Sequence, residues 1–262
     1  IIGLAVAFVC VTISAMWIRY DTTYDTSHPN AKDIYHVLNG HKNSDFVGLY
    51  SPYILAEKLK QNFDEVEAAT AVHHIDVKER DNYDEIILYN NSNIGNFCDV
   101  DAGFFDVFSV FFILGDKNSL ANDQSVILAE SKAKQLFGSA SAAMGAKLTI
   151  QSQHTGDIIR ECTVTGVVKD FEHSTIKFNA LKKLIPEDKD NRNTWCAYRN
   201  YFVYIRFITN ANISAFAEKF YNTDIDECMP GKFEFRYQIA PISKVPYMYS
   251  KKSVMPFVYI II

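Results

Sequence analysis

The most constraining feature of this sequence is its opening run, in which residues 1–18 carry no charged side chain. As an α-helix the run would be about 27 Å long, close to the roughly 30 Å hydrocarbon core of a bilayer. Trp17 and Tyr20 stand where aromatic side chains collect at a membrane interface. The mildly polar members, which a helix can satisfy internally, are Cys10, Thr12 and Ser14. The run therefore predicts a transmembrane helix over residues 1–18.

Two other interpretations of this run fit less well. A cleaved signal peptide has a basic start, a shorter apolar stretch and a small-residue cleavage site. The run has neither a basic start nor such a site. A buried helix of a soluble protein would present a polar face, and this run presents none. The sequence does not begin with Met, so we expect it to be part of a longer protein.

A second apolar run, residues 256–262, ends the sequence. Its length is about a third of a membrane span. One interpretation is a C-terminal strand. The other, which we favour, is the start of a second transmembrane helix over residues 251–262. The sequence then describes an extracytoplasmic domain held between two membrane helices. The positive-inside rule does not orient it, because a loop of this length escapes that rule.

The composition of the chain is that of a globular protein. Of its 262 residues 48% are hydrophobic and 22% are charged, and the net charge is −5 with no cluster of Lys and Arg. A nucleic-acid partner is therefore not expected. The sequence contains no Walker A, GxSxG or HExxH motif. We accordingly predict no enzymatic activity, no cofactor and no catalytic, cofactor-binding or metal-binding residues.

The histidine and cysteine patterns agree with that prediction. His73 and His74 are adjacent, with Asp76 two residues further on. Neighbours on a strand point to opposite faces, so the two imidazoles cannot hold one ion together. The five cysteines form no CxxC pair, which leaves a zinc site unsupported. Cys10 lies in the predicted membrane helix, and the sequence leaves open both disulfides and free thiols for Cys98, Cys162, Cys196 and Cys228.

Between the apolar ends, helical and strand patterns are interspersed. The predicted helices are 51–63 with Ser51 as N-cap, 104–108, a segment that Gly138 ends, and 213–221. The predicted strands are 64–78 with 84–90 as its hairpin partner, 110–114, 126–128, 146–152, 160–171, 201–208 and 233–242. This order predicts an α+β fold with mixed or antiparallel sheets rather than a doubly wound one.

Five of the nine residues 104–112 are Phe. A loop that dips into the membrane is one interpretation of this cluster. The other is a helical turn followed by a short buried strand that Gly115 closes, which would supply much of a core. The spacing favours the structural core.

Several stretches together resemble a known family. IIGLAVAFVCVTISAMWIRYDTTYDTSHPNAKDIYHV resembles the first transmembrane helix and its exit in MacB/FtsX-like ABC transporter permeases, especially those of Bacteroidetes. Further similar stretches follow in the family's order: SPYILAEKLKQNFDEVEAAT, VDAGFFDVFSVFFILGD, SVILAESKAKQLFG and TVTGVVKDFEHSTIKFNAL. The chain departs from the family pattern at Asp64, where Pro is usual, and at GSASAAMGAKL, which replaces a polar turn.

The resemblance implies a two-lobed extracytoplasmic domain, with a porter-like lobe and a smaller inserted α/β lobe between two transmembrane helices. It also implies a multi-pass protein of the bacterial inner membrane with the bulk of this chain in the periplasm. The bounds we expect are 1–18 for the first transmembrane helix, 19–46 for a membrane-proximal stalk, 47–95 and 166–250 for the porter-like lobe, 96–165 for the inserted lobe, and 251–262 for the start of the second transmembrane helix.

The function implied is that of a permease subunit. A separate cytoplasmic ABC ATPase would drive motion of the periplasmic domain, which would act on an exported substrate, a lipoprotein or an envelope partner. The implied partners are that ATPase, membrane lipid, a second permease subunit, and a periplasmic adaptor or lipoprotein. The alternative is a membrane-anchored extracytoplasmic sensor or binding domain of a signalling receptor. In the permease interpretation, residues 19–46 couple the membrane to the domain.

Overall fold

The computed structural model describes residues 2–41, 47–75, 85–185, 200–225 and 235–245. The predicted second membrane helix at 251–262 lies outside the described residues, as do Cys196 and Cys228. The helices are α1 (Ile2–Thr22), α2 (Ile54–Asn62), α3 (Gly103–Phe108), α4 (Glu130–Phe137), α5 (Ala140–Ala143) and α6 (Ile213–Asn222). Short 3₁₀ turns are Ala31–Asp33, Lys117–Leu120 and Ile242–Lys244.

The opening apolar run forms one uninterrupted helix, α1. Its stretch from Gly3 to Tyr20 is long and apolar enough to cross a membrane, and none of that stretch is buried against the rest of the chain. A core helix of a soluble protein would be buried, so that alternative does not fit. The hydroxyl of Thr12 is satisfied within the helix by the carbonyl of Phe8 at 2.8 Å.

The strands are β1 (Ile34–His41), β2 (Val47–Gly48), β3 (Val66–Ile75), β4 (Glu85–Tyr89), β5 (Ser92–Asn93), β6 (Phe97–Val100), β7 (Phe112–Leu114), β8 (Ser125–Ala129), β9 (Lys147–Ser152), β10 (Ile158–Val168), β11 (Ala180–Lys183), β12 (Phe202–Phe207) and β13 (Phe235–Pro241). They form one sheet in the order β13-β1-β12-β3-β6-β11-β8-β10-β9-β4-β5, with β2 beside β1 and β7 beside β10. The pairs β6–β11 and β8–β10 are parallel and the others are antiparallel, which confirms the predicted mixed sheet.

The four strands β13, β1, β12 and β3 make the sheet of the large lobe. Successive side chains of a strand point to opposite faces, so each strand contributes to two cores. One face carries Val203 and Ile205 of β12 and is covered by α2 and α6. The other face carries Phe202 and Tyr204 and is covered by α3. Both faces are apolar because helices cover them.

The small lobe is built on β8, β9, β10 and β4, with α4 and α5 packed against them. Val126 and Leu128 of β8 and Leu148 and Ile150 of β9 are fully buried there. Gly138 ends α4 in the left-handed conformation, with φ of 80°, as its position in the sequence predicts.

The phenylalanine cluster splits between core and surface. Phe104, Phe105 and Phe108 are buried under the large sheet, which confirms the predicted structural core. Phe112 on β7 is half-buried. Phe111 differs from all of them, because 67% of its surface is exposed.

Three local expectations are wrong. Ser51 does not cap α2, which begins later, at Ile54; Ser51 instead forms a β-bridge with Tyr201. The strand β4 is not the hairpin partner of β3, because it pairs with β9 and β5 while β3 pairs with β12 and β6. The strand predicted at 110–114 is half-buried rather than buried. The bounds expected for the two lobes stay predictions, although β1 already belongs to the sheet.

Candidate functional site: the junction of the apolar helix with the domain

The C-terminal end of α1 is fixed to the loop that follows β10. The rings of Tyr20 and Tyr24 lie against the His173 ring, with centroid distances of 4.1 Å and 3.9 Å. His173 Nε2 is also hydrogen-bonded to the Tyr20 carbonyl. Thr22 and Thr23 donate their hydroxyls to the Arg19 carbonyl at 3.2 Å and 2.9 Å, and this carbonyl belongs to the last turn, whose carbonyls lack partners within the helix. The helix therefore ends in an ordered contact rather than in a free linker.

Asp25 is the central residue of this junction. Its carboxylate is fully buried and accepts hydrogen bonds from the hydroxyl of Ser174, and from the amide and hydroxyl of Thr175 at 3.1 Å and 2.6 Å. Its own amide donates to the His173 carbonyl at 2.9 Å. The backbone of Asp25 is left-handed, with φ of 57°, which Asp tolerates better than most residues. A buried carboxylate is stable only with such partners, so they hold the chain tightly in place.

A second contact follows three residues later. The buried His28 ring lies edge-on to Phe171, with centroids 4.5 Å apart. Its centroid is 5.4 Å from that of Phe108, which belongs to the core between α3 and the large sheet. Its Nε2 is 3.5 Å from Asp25 Oδ1 and 3.4 Å from Ser174 Oγ. The imidazole thus connects the polar junction to the apolar core beneath α3.

A third contact joins the exit segment to α3 and the sheet. The amide of Asn30 donates to Ser109 Oγ at 3.1 Å, and Arg206 of β12 donates to the same hydroxyl at 3.2 Å. The turn Ala31–Asp33 then packs on the turn Ile242–Lys244. The last described residues of the chain therefore lie beside the segment that leaves α1.

A separate, largely buried group of charges connects β4 of the small lobe to the strands β6 and β11. Lys182 Nζ of β11 lies 2.7 Å from Glu85 of β4 and 3.0 Å from Asp99 of β6. Burial alone lowers the pKa of Lys182, but the two carboxylates outweigh it, so the net pKa is raised and the ammonium stays charged. Cys98 is the neighbour of Asp99 on β6. Burial raises the pKa of its thiol well above the usual value, which makes this buried thiol unreactive.

A cavity of about 370 Å³ also opens between the lobes. Its lysines are already paired, Lys117 with Asp106 at 3.8 Å and Lys183 with Asp123 at 2.7 Å. The carboxylate of Asp101 accepts from Thr70 and from the Ala71 amide, so it is committed to the fold. The charged side chains that line the cavity are thus already engaged within the fold, and the junction is the stronger candidate site.

A family model described as the MacB-like periplasmic core domain matches residues 1–221. The chain belongs to this family. It is the periplasmic domain of an ABC transporter permease family, with one N-terminal apolar helix that could span a membrane. Domains of this family are components of transporters.

Two solved structures share the fold of this MacB-like domain. One is described as a domain of a permease protein from Porphyromonas gingivalis; it is 19% identical, with a TM-score of 0.65 over 82% of this chain and 93% of that one. The other is the periplasmic region of MacB from Actinobacillus actinomycetemcomitans; it is 16% identical, with a TM-score of 0.50 over 85% of this chain and 94% of that one. No curated protein sequence matches this chain.

Sequence patterns located one half of the junction and missed the other. The exit segment with Tyr20 and Tyr24 is predicted as a membrane-proximal element. The loop that receives it, 170–175, is visible only as part of a family-like stretch. Asp25 and Ser174 are 149 positions apart, and no local pattern connects them. The imidazoles of His73 and His74 have different partners, as predicted for neighbours on a strand. His73 lies 3.8 Å from Asp99, and His74 is hydrogen-bonded to the Lys177 carbonyl.

Proposed function

We propose that this chain is the periplasmic part of a permease subunit that transmits motion from the membrane to the periplasmic domain. A separate cytoplasmic ATPase hydrolyses ATP and moves the membrane helices. The observation that carries the proposal is the buried Asp25 carboxylate, which fixes the exit of α1 to the loop after β10. A moving helix can displace a domain only if the connection between them is stiff.

The whole connection is ordered. From Thr23 to Asp33 the chain runs through hydrogen-bonded turns, and its contacts reach the loop after β10 and the residue that follows α3. A displacement of α1 along its axis would therefore press on the large lobe at two points, because Phe171 of the loop after β10 and α3, which Asn30 contacts, pack in the same core under the large sheet. A flexible tether would let the helix move without the domain.

The membrane arrangement is part of the same proposal. The turn Ile242–Lys244 lies against Ala31–Asp33, so the last described residues are next to the exit of α1. This placement supports a second membrane helix from about residue 251 that enters the same membrane face, and a multi-pass protein of the inner membrane. A second permease subunit, and an adaptor or lipoprotein in the periplasm, complete the proposed assembly.

A linker insertion tests the proposal. A short Gly-Ser linker after Asp25, placed in the full-length permease together with its ATPase, should abolish the cellular output while ATP hydrolysis persists. The linker enters between the buried Asp25 and the exposed Thr26 and Ser27, where added residues can extend into solvent at little cost, so the domain should still fold. The control is the same linker after Thr155, in the exposed turn between β9 and β10, which should leave the output intact.

An insertion after Asp25 that keeps full output would contradict the proposal. It would show that no force passes through the junction, and it would favour the alternative, a membrane-anchored sensor or binding domain. Loss of output from both insertions would point to a general defect in folding, which near-UV circular dichroism of the purified variants would reveal.

A further inference from the structure

We propose that Phe111 and Lys169 form a second contact of the periplasmic domain with the membrane, at the headgroup surface beside α1. This inference rests on the proposed crossing of the membrane by α1. It assigns a lipid partner to a surface of the domain itself, separate from the helix. Three observations carry it.

The first observation is the exposure of Phe111. Outside α1 it is the most exposed aromatic side chain among the described residues, with 67% of its surface accessible. Its neighbours in the same cluster, Phe104, Phe105 and Phe108, are all buried. A large apolar side chain gains free energy when it leaves water, so contact of this ring with a lipid surface would be favourable.

The second observation is the position of Phe111. Its carbonyl accepts from the Lys169 amide at 2.9 Å, and Lys169 lies four residues before His173, which contacts the end of α1. Ser109, two residues before Phe111, accepts from Asn30 of the exit segment. Four residues span at most about 14 Å, so Phe111 is bracketed by two segments that both touch the chain where it leaves the membrane.

The third observation is the chemistry of the pair. Lys169 and Phe111 are both exposed, and they are bonded next to the antiparallel pair Val168–Phe112, where residues opposite each other share a face, so a cation and an aromatic ring are neighbours on one surface. Aromatic rings and Lys side chains are the groups that settle at the boundary of acyl chains and anionic headgroups. This combination and its place beside a membrane span favour a lipid surface over a protein partner.

The experiment places single tryptophans in the whole chain, reconstituted in nanodiscs of phosphatidylcholine and phosphatidylglycerol whose acyl chains carry bromine near the headgroups. Trp195→Phe keeps Trp17 alone and reports on α1. Adding Trp17→Phe and Phe111→Trp reports on the proposed contact. Adding Trp17→Phe and Ile158→Trp is the matched control, because Ile158 is 68% exposed but lies at the opposite end of β10, roughly 30 Å away by strand rise.

We expect tryptophan at 111 to show blue-shifted emission and a loss of intensity in brominated lipid comparable to that of Trp17, with no loss at 158. Equal behaviour of 111 and 158 would overturn the inference while leaving the membrane crossing intact. A residue 111 that is shielded from acrylamide but not quenched by brominated lipid would also overturn it, in favour of a second copy of the chain. Unquenched Trp17 would instead refute the proposed function.

Discussion

Two regions of this molecule rely on a buried charged side chain, and the partners of the charge differ. At the junction, the Asp25 carboxylate is bound by the neutral hydroxyl and amide groups of Ser174 and Thr175. At the lobe boundary, the Lys182 ammonium lies between two carboxylates. Removing Lys182 leaves Glu85 and Asp99 with only more distant partners, Arg160 at 3.7 Å and His73 at 3.8 Å, whereas removing the Asp25 charge leaves hydroxyl and amide donors without their acceptor.

The difference matches the two roles. The lobe boundary must hold the small lobe in place, and a charge network that is costly to break suits that purpose. In the proposed function the junction passes force, which requires direction and stiffness more than the largest stabilisation. Its hydrogen bonds supply this, since several short bonds converge on one carboxylate and fix its position.

The largest effect should come from Lys182→Met. The substitution removes the nearest cation of Glu85 and Asp99, which then keep only Arg160 at 3.7 Å and His73 at 3.8 Å, so we expect the free energy of unfolding to fall by about 3 kcal/mol in denaturant titrations. Its neighbour provides the control: Lys183→Met removes an exposed pair with Asp123 and should cost only about 0.2–1 kcal/mol. Equal losses in the two variants would mean that the buried network does not hold the lobes together.

A smaller effect is expected for Asp25→Asn, which keeps the shape of the side chain. Its amide group can no longer accept every bond that the carboxylate accepts, so we expect a loss of about 1–3 kcal/mol. Output of the full permease should fall while ATP hydrolysis continues. Glu172→Gln in the same loop is the control, because only the backbone carbonyl of Glu172 takes part, as acceptor from Ser27. Full output from Asp25→Asn would count against the junction as a force path.

His36 sharpens the comparison, because it is a buried ionisable group that stays uncharged. Burial lowers its pKa to about 3, although the Leu49 carbonyl acts in the opposite direction. The folded state therefore binds fewer protons than the unfolded chain, whose histidines titrate near pH 6.5. Its contribution is fully present above pH 6.5 and is lost as the pH falls toward 3, by at most about 1.4 kcal/mol per pH unit.

The measurement is denaturant unfolding at pH 7 and pH 5 for the protein and for His36→Leu. We expect the variant to lose less stability than the parent over this interval, because the substitution removes the group that must be protonated on unfolding. Identical pH slopes would show that His36 is protonated in the folded protein.

The smallest effect is expected for Ser27→Ala. It removes one exposed hydrogen bond to the Glu172 carbonyl, 2.8 Å long, so the stability should fall by about 0.5 kcal/mol and the output should stay unchanged. A loss of stability as large as that of Asp25→Asn would mean that exposed hydrogen bonds such as that of Ser27 stabilise the junction as much as the buried carboxylate does. Parallel denaturant titrations of the two variants decide this.

Much of the local structure follows from sequence patterns. The segments that form α1, α3, α4 and α6, and the paired strands β9 and β10, have clear periodicity or clear end signals such as Gly138. Errors occur where a segment depends on distant partners. Ser51 looks like a helix cap, but its backbone bonds Tyr201 and the helix starts later. The strand β4 follows β3 in the chain, yet its apolar side chains complete the small lobe beside β9.

The sequence by itself determined the apolar helix, the α+β class with its mixed sheet, and the resemblance to MacB-like permeases, because periodicity and local motifs are properties of neighbouring residues. Only the tertiary structure decided that Asp25 is buried by Ser174 and Thr175, and that Phe111 faces outward while Phe108 faces inward. The physical reason is that burial and pairing depend on which distant segments the fold brings together. Asp25 and Ser174 are 149 residues apart, and no local sequence pattern indicates that they are in contact.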